Sequence, residues 1–289
     1  MDYMSTREAA SKWGVSIRNI QRLLAENRIP NARKYGISWM IPSDAKKPDD
    51  LRNERRREKK EFLHLLPMNC PMFATTTIYH KPGSAAEVLK TLSNDTNARD
   101  LFYAQLLYYQ GNYREAAKLS KDLLLRTKCF DTQLGCLHII SYASMYTGDY
   151  ITWLETYEKV KNMPAMTATE TKMKELCLAS KDCSMYDCRT YPEWLKFGCF
   201  DDLPMECFPI LRYYFSKYLL ITRTYLGSIR VLEVVCSQTK AEGAVIAELY
   251  LQLLMAIGYH DSGEIAIAAK HFNRALDLAL PDKLYAPLA

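Results

Sequence analysis

The sequence predicts a mainly α-helical protein, with a small head of two short helices and a β-hairpin ahead of an α-α helical-repeat solenoid. Three observations lead there. Residues 3–45 hold helix-start and helix-stop signals, followed by a strand-like pair around a glycine. Beyond residue 82, amphipathic stretches with the apolar spacing of one-sided helices follow one another. Glycine-centred motifs return in that second zone at about the interval of paired-helix repeats. The 289 residues suffice for two or three domains, and 48% apolar with 25% charged residues excludes a disordered or collagen-like chain.

In the head, Ser5-Thr6-Arg7-Glu8 is a capping box, in which the serine hydroxyl accepts from the amide three residues on and Glu8 reaches back. Ala9, Ala10 and Trp13 give the first helix its apolar stripe, and Gly14 ends it. Ser16 caps a second helix running to about Asn27. At 100° per residue, Ile17, Ile20, Leu23 and Leu24 gather on one side; Arg18 and Arg22 point away, flanked by Asn19. A hairpin follows, from Ala32-Arg33-Lys34-Tyr35 through Gly36 to Ser38-Trp39-Met40-Ile41-Pro42. The charge is uneven as well. Residues 1–60 carry 15 Lys and Arg against 8 Asp and Glu, while the rest carry 23 against 25. A basic head on a slightly acidic body points to a polyanionic partner.

The pattern Ser5-Thr6-Arg7-Glu8-Ala9-Ala10, Gly14-Val15-Ser16, Arg28-Ile29-Pro30-Asn31-Ala32-Arg33-Lys34 and Trp39-Met40-Ile41-Pro42 resembles the winged helix-turn-helix modules of the MerR and phage-excisionase type. It departs from them at Asn27, where such modules often carry glycine; asparagine tolerates the same left-handed backbone. The resemblance implies double-stranded DNA as partner, with the second helix in the major groove. Arg18, Asn19 and Arg22 would then meet base edges or phosphates, since arginine matches guanine and asparagine matches adenine. Ser16 and its helix N-terminus would accept a phosphate. Arg33 and Lys34, on the wing, would grip the DNA backbone or the minor groove.

Residues 46–81 read as a basic linker and an irregular connector without a clear period. Within it, Arg55, Arg56, Arg57, Lys59 and Lys60 offer phosphate contacts, although Glu54 and Glu58 offset part of that charge and a solvated linker helix explains the run equally well.

From residue 82 to 289 the repeat is carried by Gly111-Asn112-Tyr113, Gly148-Asp149-Tyr150, Gly227-Ser228-Ile229 and Gly263-Glu264-Ile265. Each is read as a helix end, a tight glycine turn and a second helix packing back. Ala116 and Ala268 supply the small side chain that close helix contact needs. A further unit between 165 and 200 is expected to be irregular, with Pro192, Pro204 and Pro209 nearby. The zone resembles tetratricopeptide-type arrays. Through Tyr191-Pro192-Glu193-Trp194-Leu195-Lys196, Tyr218-Leu219-Leu220 and the stretch from Ala268 to Ala279, it is similar to the helical sensor region of LuxR-type bacterial regulators related to the maltose regulator. That resemblance implies an effector or protein ligand in the repeat groove. It also implies relatives that continue into a second, C-terminal helix-turn-helix, so this sequence is expected to be a piece of a longer protein whose apolar end lacks a polar capping helix.

The nine cysteines are odd in number and show no Cys-x-x-Cys, so reduced, buried thiols are expected rather than disulfides or a metal site. The 20 tyrosines read mainly as packing residues. His64, His80, His138, His260 and His271 are scattered, and no phosphate-binding loop or nucleophile motif occurs, so neither catalysis nor a cofactor is expected. No membrane helix and no signal peptide are expected. The expectation is a cytoplasmic bacterial transcription regulator, possible as a homodimer because one head reads few bases. A different class of reading is a non-catalytic adaptor, whose head docks protein rather than DNA. RNA is less favoured because the basic head offers no aromatic stacking platform.

Overall fold

The computed structural model describes residues 3–25, 28–36, 38–48, 71–92, 95–184, 188–222 and 225–288. Asn27 and the run from Arg55 to Lys60 lie outside them. The chain divides into two compact units, Met1–Leu66 and Pro67–Ala289. It is mainly helical, with one small antiparallel sheet. Among the described residues, no helix is long and apolar enough to cross a membrane.

Among its described residues the first unit runs β1 (Tyr3–Met4), α1 (Thr6–Trp13), α2 (Ile17–Ala25), β2 (Arg33–Tyr35) and β3 (Ser38–Pro42). The capping box forms: Ser5 Oγ accepts from the Glu8 amide at 3.3 Å, and Glu8 Oε2 accepts from the Ser5 amide at 2.7 Å. That pairing lowers the Glu8 carboxyl below its ordinary range. Gly14 ends α1 with φ 63°, a left-handed position that a Cβ would strain. Besides the hairpin, β1 joins β3, giving a three-stranded sheet in the order β1-β3-β2. Two residues are too few to show strand alternation, so this strand left no trace in the sequence pattern. Met4, Ala9, Ala10, Ile20, Leu23, Leu24, Ile29 and Ile41 form the core.

The described part of the second unit begins with a short 3-10 turn (Pro71–Phe73) and α3 (Ala74–Ile78), in the stretch expected to be irregular. A five-residue helix is too short for a period to emerge. It is nonetheless buried, because its polar atoms are satisfied. Thr76 and Thr77 donate to the carbonyls of Phe73 and Ala74, and Gln105 Oε1 accepts from the Thr75 amide at 2.8 Å.

Next come α4 (Ala85–Thr91), α5 (Thr96–Tyr109), α6 (Tyr113–Arg126), α7 (Phe130–Tyr146), α8 (Tyr150–Asn162) and α9 (Ala168–Ser184). They are followed by α10 (Glu193–Lys196), α11 (Phe208–Ile221), α12 (Tyr225–Glu242), α13 (Val245–Asp261) and α14 (Ile265–Ala279). At Gly111, Gly148 and Gly263 the chain turns with positive φ, and the flanking helices pack on each other. Ala116 and Ala268 are buried at these contacts. Gly227 does not follow the pattern. It lies inside the first turn of α12, and the turn before α13 is made by Gly243 instead, at φ 71°. The prolines stand where helices begin: Pro192 before α10, Pro209 in the first turn of α11.

The helices do not form an open row in which each pair meets only its neighbours. Leu101, Phe102 and Leu123 share one core with Val245, Ile246, Leu278 and Leu284, so the first helices pack against the last. The residues after α14 complete the closure. Asp282 Oδ2 accepts from the Tyr79 hydroxyl at 2.5 Å and from the Gly83 amide at 2.7 Å, while Gln110 donates to the Asp282 carbonyl at 3.0 Å. Of the apolar end, Leu284 and Ala286 are buried, while Leu280 and Tyr285 are exposed. Cys207 is disulfide-bonded, against the expectation of reduced thiols throughout; the fold sets the distance between two sulfurs, which sequence spacing does not reveal. Cys136, Cys177 and Cys236 are unbonded and buried, and burial raises all three thiols to about 11–12.

Candidate functional site

Two places in the molecule gather functional chemistry, one in each unit. In the head, Ile20, Leu23 and Leu24 turn inward, which sends Arg18 and Arg22 into solvent. Ser16 Oγ accepts from the Asn19 amide at 3.3 Å and so starts α2. Asn19 is half-buried, and its Oδ1 accepts from Arg22 Nη2 at 3.1 Å. Arginine and asparagine thus form one hydrogen-bonded pair on that face. Ile17 is 39% exposed, a correction to its place on the apolar side: it opens the helix, beyond the reach of the core.

On the hairpin, Arg33 pairs with Met40 and Lys34 with Trp39. Neighbours along a strand face opposite ways. Lys34 therefore shares the side of Trp39, which packs on the head core, and Arg33 shares the outer side with half-exposed Met40. Both cations are exposed, but they belong to opposite faces of the strand. Part of the basic excess is structural. Lys12 Nζ donates to the Ser43 carbonyl at 2.6 Å, and Lys47 Nζ to the Trp13 carbonyl at 3.2 Å. These two lysines fasten the segment after β3 onto the end of α1.

In the helical unit, a cavity of about 370 Å³ lies among α5, α7, α11 and α13, with Met72 and Phe73 contributing from the 3-10 turn. Among the described residues, seven tyrosines line it: Tyr108 and Tyr109 from α5, Tyr142 and Tyr146 from α7, Tyr213 and Tyr214 from α11, and Tyr250 from α13. Their rings touch one another. Tyr213 stacks on Tyr250 at 4.7 Å, and Tyr108 meets Tyr142 edge-on at 5.8 Å. Burial first, then the neighbouring tyrosines, raises the Tyr108 and Tyr250 phenols far above their usual range, so both keep their protons.

His138 sits at the cavity wall between Phe73, at 5.5 Å, and Tyr142, at 4.7 Å. Burial, reinforced by the nearby Lys181 charge, lowers it to about 3, so its ring is neutral at ordinary pH. Lys217 is the charged side chain among the described lining residues, and none of these is a carboxylate. Gln105 fixes the wall, donating to the Met72 carbonyl at 2.9 Å while accepting from Thr75.

The sequence marked the head residues individually, but not the pairing of Asn19 with Arg22. It also read the tyrosines as packing, and they do pack; what it did not show is that seven of them surround one space. The doublets Tyr108-Tyr109 and Tyr213-Tyr214 were the visible signal, because adjacent aromatics on a helix direct one ring to the core and one beside it. Among the described residues, no group of three or more His, Cys, Asp or Glu is placed to hold a metal ion. Comparison with family models, with curated proteins and with solved structures gives no match for this chain.

Proposed function

We propose that the chain is a DNA-binding transcription regulator. In this reading the head is a winged helix-turn-helix, and the helical unit, a closed variant of a helix-pair array, senses an effector or mediates assembly. The observation that carries it is the face of α2, where Arg18 and Arg22 stand in solvent on a helix held from behind by Ile20, Leu23 and Leu24. A helix so mounted fits the width of the major groove, with Arg18, Asn19 and Arg22 directed at base edges and phosphates. Ser16, at the start of α2, adds a polar group where a phosphate is favoured. Arg33 on the outer face of the hairpin, and Lys34 on the other, would contribute backbone contacts. The linker cations Arg55, Arg56, Arg57, Lys59 and Lys60 would add salt-dependent affinity. A homodimer would bring two heads to a paired half-site.

The test is selection of bound duplexes from a random library at defined salt, followed by titration of the selected sequence. The double variant Arg18→Ala/Arg22→Ala is expected to lose sequence preference and about two units of the salt slope. Unchanged binding by that variant, or retention of a protein partner with no DNA shift at low salt, overturns the proposal in favour of an adaptor.

A further inference from the structure

We infer that the tyrosine-lined cavity of the helical unit binds a neutral aromatic carbonyl compound of one or two rings, its ring against the tyrosine faces and its carbonyl oxygen accepting from the hydroxyls of Tyr108, Tyr146 and Tyr250. The inference deepens the sensing role proposed above by giving it a ligand class, but its observations come from the cavity alone. Size and shape come first. About 370 Å³ lies in the ordinary range of small-molecule sites, and walls built from tyrosine rings favour a planar guest that stacks or meets them edge-on.

Charge comes second. A charge of either sign taken out of water has to be paired. No carboxylate stands among the described lining residues to pair a cation. Lys217 already interacts with another residue of the protein and is given no part in holding the guest. Burial keeps Tyr108, Tyr109 and Tyr250 protonated and His138 neutral, so these groups offer hydrogen bonds rather than charge.

Hydrogen bonding then separates a carbonyl compound from a hydrocarbon. Tyr108 from α5, Tyr146 from α7 and Tyr250 from α13 line the one cavity, and none of their hydroxyls hydrogen-bonds to another described residue. The three lie within electrostatic reach of one another. After burial, Tyr250 and then Tyr146 raise the Tyr108 phenol, and Tyr146 is among the tyrosines that raise Tyr250. Tyr142, by contrast, already donates to the Ser180 carbonyl at 2.6 Å. A hydrocarbon would displace water from these donors and offer nothing in return, whereas a carbonyl oxygen accepts with two lone pairs.

The experiment uses the full chain without DNA and four naphthalenes that differ in one substituent: 2-acetylnaphthalene, the hydrocarbon 2-isopropylnaphthalene, anionic 2-naphthoate and cationic 2-naphthylmethylammonium. Binding is read by calorimetry, and for the hydrocarbon by competition with the ketone. The ketone is expected to bind at least about tenfold more tightly than either ion, because an unpaired charge loses its hydration in the cavity. Tyr108→Phe and Tyr250→Phe, which keep the rings, are each expected to weaken the ketone about threefold, and the triple variant Tyr108→Phe/Tyr146→Phe/Tyr250→Phe at least about tenfold. Hydrocarbon binding is expected to hold or tighten in all of them. If the triple variant loses its helical circular dichroism spectrum, the single variants decide. Either ion binding as tightly as the ketone, equal losses of ketone and hydrocarbon, an unmoved ketone affinity in the tyrosine variants, or no ketone binding by wild-type protein with an intact helical spectrum overturns the inference. DNA binding by the head is measured separately, so failure here leaves the proposed regulator role standing, and failure there leaves this site standing.

Discussion

In the head, one helix turns its apolar residues inward and presents Arg18 and Arg22 to water. In the helical unit the polarity is partly reversed. Tyrosines, a neutral histidine and a lysine line a cavity, while Leu125, Ile151 and Leu154 stand on the outside. The difference separates two kinds of interaction. Exposed cations act over a Debye length and weaken with salt. Enclosed hydroxyls act only at contact, and their strength depends on the exclusion of water. The two units also differ in what holds them: a core of a few side chains in one, contacts between distant chain segments in the other.

The comparison breaks most visibly if one unit unfolds without the other. Leu24→Ala empties a fully buried position and is expected to cost about 2–5 kcal/mol. That is enough to unfold so small a head, which would abolish the proposed DNA binding while the main helical melting transition stays in place. If both signals fall together, the units are not independent. Asp282→Ala is the converse change. It removes the acceptor shared by Tyr79 and Gly83, with an expected cost of about 2–3 kcal/mol. Thermal unfolding should shift for the helical unit alone, with DNA affinity retained.

Acidification gives a graded contrast. His138 is lowered to about 3 when folded and titrates at about 6.5 when unfolded, so the unfolded chain binds the extra proton between those values. Its contribution is complete above about pH 6.5 and is lost as the pH falls toward 3, at about 1.4 kcal/mol per pH unit. The helical transition of His138→Phe should therefore lose less stability than the wild type between pH 6.5 and 4.5. Equal losses would show that the ring protonates without hindrance in the folded state. The smallest effect expected is on the hairpin. Arg33→Ala should lower the salt slope of DNA binding by about one without altering sequence preference.

Local structure was the legible part of this fold. The capping box at Ser5 and the turns at Gly14, Gly111, Gly148 and Gly263 each depend on residues within one helical turn, and such signals survive in the sequence. Gly227 misled because a glycine at the right interval looks the same inside a helix as after one. Closure of the helical unit was illegible for another reason. It rests on Leu101 and Phe102 sharing one core with Leu278 and Leu284, and an apolar residue does not announce which core it joins. The same holds for the cavity, whose tyrosines come from four helices. In the head, the exposed arginines followed from periodicity alone, whereas the bond between Asn19 and Arg22 required coordinates.

The hydrogen bond between Tyr79 and Asp282 joins residues 203 positions apart. Contacts of such separation form late, because the loop between them must close first. During synthesis from the N-terminus, α5 and α7 emerge long before α13 and the segment at 280–288 that shuts the cavity behind them. Until then Tyr108, Tyr109 and Phe102 have no far wall to pack against. The nascent helical unit is therefore expected to leave these aromatic side chains without their later partners until its last segment emerges, whereas the head, whose contacts are short in sequence, needs only its own residues to fold.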